Sequence, residues 1–118
     1  MTRRVDLATL CGAGWALVAL HDLRRRLRSG GFAGAAVIAP PRLPAHAVRG
    51  VEALLRRRDA TCLERSLVLQ KWFYSRGVAR DVIVGVTSPQ SGFAAHAWLD
   101  GETAESGSFH ELRRLAPH

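Results

Sequence analysis

The apolar pattern of this chain changes period once, and the change falls at Gly77. Before it, Leu7, Leu10, Cys11, Trp15, Val18, Leu23 and Leu27 recur at helical spacing, as do Val48, Val51, Leu54 and Leu55, and then Leu63, Leu67, Leu69, Trp72 and Phe73. After it, β-branched residues crowd Asp81-Val82-Ile83-Val84-Gly85-Val86-Thr87, turn residues fill Ser88-Pro89-Gln90-Ser91-Gly92, and Phe93 to Leu99 reads as a second strand. Helices first and strands afterwards predict an α+β fold, N-terminal helices with the third packed on a small antiparallel sheet. A chain of 118 residues, 47% of them hydrophobic, has the size of one compact domain.

Local signals set the expected boundaries. The first helix runs from Asp6 to about Arg28, where Ser29-Gly30-Gly31 stops it. Pro40-Pro41-Arg42-Leu43-Pro44 forces an extended linker, so residues 1–40 read as a helical extension and 41–118 as the core. Ala45 to Arg57 forms the second helix. Thr61 opens the third with a capping box, its hydroxyl accepting from the Glu64 amide while the Glu64 carboxylate reaches back; Gly77 stops that helix near Arg76. Thr2-Arg3-Arg4 ahead of Leu7 to Leu20 imitates a signal peptide, but no small-residue cleavage site follows. The apolar run, about 14 residues, falls short of the ~20 of a spanning helix. A packed helix, or a weak interfacial one with Trp15 at its surface, is the expectation, which leaves a peripheral membrane contact open.

The net charge of +7 comes largely from arginines, clustered at Arg24 to Arg28 and Arg56 to Arg58 at the ends of helical stretches, where they suit the helix dipole. No aromatic residues interleave with them, which speaks against a nucleic-acid partner and leaves an acidic peptide, a partner protein or anionic lipid. The cysteines, Cys11 and Cys62, come with no CxxC or His-rich spacing, and His21, His46, His110 and His118 are scattered; no metal or other cofactor is expected. Cys11 reads as a small buried side chain, and the cysteine usage suits a reducing, cytoplasmic setting.

Chemistry concentrates in two places. Cys62 stands at the first position of a helix, where unpaired amides and the dipole favour a thiolate and could support an oxyanion. His96 lies in a strand among Ala94, Ala95 and Ala97, small residues that leave room for a substrate. A two-residue turn at Asp100-Gly101 would pair Leu99 with Glu102, Trp98 with Thr103, Ala97 with Ala104 and His96 with Glu105. Opposed residues share a sheet face, so Glu105 would orient the imidazole and complete a Cys-His-acid set. Glu111 is its rival, because a longer or bulged hairpin would bring it into place. Trp98 shares the face of His96 and walls the site or simply packs in the core; Gln70 and Lys71 read as helix surface.

Taken together, Cys62-Leu63-Glu64-Arg65-Ser66-Leu67, Arg76-Gly77-Val78, Gly85-Val86 and Ala95-His96-Ala97-Trp98 resemble, in order and spacing, the transglutaminase-like cysteine proteases that act as leader peptidases in lasso-peptide maturation. The resemblance extends from about Arg42 to Leu115 and is loose before Pro40. It implies a papain-like core, Cys62 as nucleophile and His96 as general base. It further implies a thiol peptidase that cuts the leader from a lasso-peptide precursor in the cytoplasm, working with a leader-recognition protein and a macrolactam-forming cyclase. The family's acid usually follows a longer hairpin than the one expected here. Two other readings stand beside it: an acyltransferase, in which an amine resolves the acyl-enzyme, and a non-catalytic basic scaffold.

Overall fold

A computed structural model describes residues 6–30, 36–87, 95–101 and 109–117. Three helices, α1 (Leu7–Gly30), α2 (Val48–Arg57) and α3 (Cys62–Tyr74), precede three strands, β1 (Val82–Thr87), β2 (Ala95–Leu99) and β3 (Phe109–Leu115). The arrangement is α+β, as the change of period predicts. Contacts gather the chain into two compact units that meet in sequence between Ala60 and Thr61, so α2 groups with α1.

In the first unit, Asp6 caps α1 by accepting from the Thr9 amide at 2.8 Å and the Thr9 hydroxyl at 2.7 Å. The helix buries Gly12, Trp15, Ala16, Ala19, Leu20 and Leu23. Small residues on this face let the next element come very close. A Cβ on Gly12 would lie 2.5 Å from the Ala47 carbonyl oxygen, and one on Gly50 would lie 2.0 Å from the Thr9 carbonyl oxygen. Glycine is therefore a packing requirement at both positions. The choice of this face corrects the expectation for Cys11, which points the other way and is exposed. Trp15 is likewise not at the surface but buried, and its indole N–H donates to the Ile38 carbonyl at 3.2 Å, holding the extended segment before Pro40.

The second helix starts as expected at Ala45, but its first turn, Ala45–Ala47, is a 3₁₀ helix entered from Pro44. At its far end Asp59 takes φ 51, a left-handed conformation usually reserved for glycine. The amide of Asp59 donates to Arg56 and that of Ala60 to Leu55, the paired bonds of a Schellman stop. Arg24 donates to the Arg58 carbonyl at 2.9 Å, a cation at a helix C-terminus.

In the second unit, α3 lies against the sheet and buries Leu67, Val68, Leu69 and Trp72. It ends in a Schellman stop of its own, with Gly77 at φ 84, Gly77 N–H on the Tyr74 carbonyl and Val78 N–H on Phe73. The sheet has the order β2-β1-β3 and is antiparallel throughout. The third described strand, Phe109–Leu115, carries no alternating pattern in the sequence. Gln70, expected on the helix surface, is buried and bonds the sheet instead. Its amide donates to the Arg80 carbonyl ahead of β1 and to the Leu115 carbonyl at the end of β3, both at 2.8 Å.

Candidate active site

The start of α3 is built as its sequence predicts. Thr61 Oγ1 accepts from the Glu64 amide at 3.1 Å, and the Glu64 carboxylate accepts from the Thr61 amide at 2.9 Å. Glu64 is buried, so the box is shielded from water at one end. The capped turn fixes Cys62 as the first helical residue, with its Cβ tilted toward the helix N-terminus, where the dipole favours negative charge.

What the sulfur meets follows from the register of β1 and β2. Val82 pairs with Leu99, Ile83 with Trp98, Val84 with Ala97 and Gly85 with His96. The Asp100 amide donates to the Asp81 carbonyl at 2.9 Å, which makes Asp81–Asp100 a hydrogen-bonded pair. Pairs alternate in an antiparallel ladder, so Val84–Ala97 is a non-hydrogen-bonded pair and the Ala97 amide points away from β1. That amide donates to Cys62 Sγ at 3.3 Å. The thiol at the helix start is thus held against the backbone of the residue that follows His96. Both cysteines are free thiols, and Cys62 is part-buried.

His96 is also part-buried and stacks on Trp98, with ring centroids 5.8 Å apart and planes inclined at 22°. Both lie on one face of β2, as their spacing requires. Trp98 is buried too, so it is at once a core residue and a neighbour of the imidazole. One helical turn beyond Cys62, Ser66 is fully buried and its Oγ is an orphan among the described residues, an arrangement that costs a hydroxyl its solvation.

The two candidate acids fare differently. Glu105, and the pairing of residues 102–105 with β2, lie outside the described residues. The two central residues of the turn are described: Gly101 takes φ 99, but Asp100 is not left-handed. Primed two-residue turns need a positive φ at their first central residue, so the turn starting at Asp100 is of another kind. Glu111 stands in β3, whose register carries a bulge. Val84 pairs with Arg113, and Gly85 with Glu111, leaving Leu112 as the extra residue. Gly85 consequently pairs with His96 on one side and with Glu111 on the other. A glycine inside a β-branched run is the sequence signal for such a position. Among the described residues, no group of three or more His, Cys, Asp or Glu could hold a metal.

The comparisons agree with this geometry at the level of family. No curated protein gives a match, and no solved structure does. A family model, described as the transglutaminase-like superfamily, matches residues 7–116, from the first turn of α1 to the end of β3. That superfamily includes cysteine proteases and acyltransferases. With nearly the whole length matched, and a helix-start cysteine beside a histidine strand inside the match, the chain belongs to the transglutaminase-like superfamily.

Proposed function

We propose that this chain is a thiol peptidase that removes the leader from a lasso-peptide precursor in the cytoplasm. The observation that carries the catalytic part is the 3.3 Å contact of the Ala97 amide with Cys62 Sγ, which joins the start of α3 to the strand of His96. Cys62 thiolate attacks the scissile carbonyl carbon, forming a C–S bond and a tetrahedral oxyanion. The imidazolium of His96 gives its proton to the leaving amine as the C–N bond breaks. Water, deprotonated by His96, then attacks the thioester, and the cysteine leaves as thiolate with the leader carboxylate as product. An N–H donor beside the sulfur and the positive end of α3 both favour the anionic nucleophile this needs.

For the orienting acid we favour Glu111, which the register sets across Gly85 from His96, with Glu105 as its rival. Trp98 limits the freedom of the His96 ring and lines the substrate side. Specificity for a lasso precursor rests on the resemblance of the Cys62 and His96 motifs. In that reading a separate protein recognises the leader and a cyclase closes the macrolactam on the freed amine.

The test is the product mass after incubation of the chain with a precursor and its partner proteins. A leader fragment supports hydrolysis, and a covalent amine adduct supports the acyltransferase reading, which the same superfamily accommodates. Cys62→Ala abolishes either activity. If Cys62 instead alkylates no faster than a model thiol near neutral pH, the chain is a scaffold. Comparing Glu111→Gln with Glu105→Gln assigns the acid, since only the orienting residue's loss lowers kcat.

A further inference from the structure

The outer face of α1 is apolar and uncovered. Leu7 is 76% exposed, Leu10 57%, Leu17 38% and Val18 58%, and Cys11 is exposed between them. At 100° per residue these positions form one stripe, and the same stripe continues through His21 to Arg25 and Arg28, all exposed. The single acid of the helix, Asp22, is engaged by Arg26 at 2.8 Å, so none opposes these charges within α1. Arg3 and Arg4 precede the stripe in sequence. An apolar band that runs into exposed arginines at its C-terminal end matches a planar anionic surface, in which apolar side chains enter the acyl boundary and long cationic side chains reach the phosphates. No helix among the described residues is long and apolar enough to cross a membrane, so the contact is peripheral.

We infer that α1 docks this protein on an anionic lipid surface through Leu7, Leu10, Leu17 and Val18, with Arg25 and Arg28 on the headgroups. The inference is independent of what the Cys62 site does. It also explains why a helix supported on one side by glycine and alanine contacts keeps leucines on the other.

Vesicle co-sedimentation of the full chain tests it, with phosphatidylcholine vesicles that contain or lack about 30% phosphatidylserine. Binding is expected only with phosphatidylserine and weakens as salt rises. Arg25→Glu with Arg28→Glu lowers the affinity about thirtyfold or more, from about fivefold per cation lost near the surface. Leu10→Glu with Val18→Glu removes binding, while Arg56→Glu with Arg57→Glu, an equal charge change on α2, leaves most of it. Equal loss in the α2 variant would mean diffuse attraction and would overturn the inference, as would undiminished binding by the Leu10/Val18 variant. An environment-sensitive label on Cys11, in a Cys62→Ala background, shifts to the blue on phosphatidylserine vesicles; an unchanged spectrum refutes docking by this face even if the other variants fold poorly. If the wild type ignores vesicles and sediments as a dimer that Leu10→Glu with Val18→Glu dissociates, the stripe is a protein interface instead.

Discussion

Three glycines of the first unit make a prediction whose sign depends on tertiary contact alone. In an isolated helix, Gly→Ala is favourable by about 1 kcal/mol at any interior position. At Gly50 the new Cβ would stand 2.0 Å from the Thr9 carbonyl oxygen, 2.9 Å from its carbon and 3.1 Å from Thr9 Cγ2, where ordinary contact begins at 3.4 Å. The obstacle is backbone, which cannot rotate away, so α1 and α2 must part by more than an ångström. Such overpacking costs about 3 kcal/mol, the upper end of its usual range, leaving a net loss of about 2 kcal/mol. At Gly12 the obstacle is the Ala47 carbonyl oxygen at 2.5 Å, and the net loss shrinks to about 1 kcal/mol. At Gly14, exposed on the outer side of α1, a Cβ meets nothing within 4 Å, and alanine gains about 1 kcal/mol. Thermal melts of the three alanine variants should therefore rank Gly14→Ala above wild type, then Gly12→Ala, then Gly50→Ala. At about 4 °C per kcal/mol, the extremes differ by about 12 °C. A Gly50→Ala variant as stable as Gly14→Ala would refute the close crossing of α1 and α2.

Three further outcomes follow from other contacts. Asp59→Gly should raise stability by about 0.5–1 kcal/mol in urea unfolding, because the left-handed φ of 51 strains aspartate but not glycine. Gln70→Met should cost about 2 kcal/mol by the same measurement, since it strips the buried donors from the Arg80 and Leu115 carbonyls. The carboxyl of Asp6 is held down from 3.8 to about 2 by the Thr9 hydroxyl, the Thr9 amide and His46. A carboxyl lowered in the folded state stabilises fully above its unfolded value and loses that contribution as pH falls through the folded one. Asp6→Asn keeps the helix cap but should flatten the acid dependence of stability between pH 4 and 2, and an unchanged slope there would show that the carboxyl is not held down.

Where local chemistry decides, the sequence was legible. Thr61 and Glu64 announce their capping box three residues apart, and the box places Cys62 without reference to anything distant. Gly77 announces a left-handed stop. The Asp59 stop went unseen because aspartate carries no such expectation. Phe109–Leu115 hid as a strand because Phe-His-Glu-Leu-Arg-Arg-Leu mixes charged and apolar residues on both alternations and contains a bulge, so no period of two survives. Cys11 departs from the buried position expected of it for a related reason: counting apolar residues picks the leucine-rich face of α1, whereas the face that packs is the one glycine and alanine leave flat.

The order of elements, the α+β class, the capped cysteine and a histidine in a strand are all properties of the sequence by itself, because propensity, capping and hydrophobic period act over a few residues. Which face of α1 is covered, which amide meets the Cys62 sulfur, and which residue of β3 pairs with Gly85 opposite His96 were decided only by tertiary structure. These depend on how close two backbones can approach, on which members of a ladder pair point outward, and on one bulged residue, Leu112. All three are relations between distant segments, and a linear pattern does not record them.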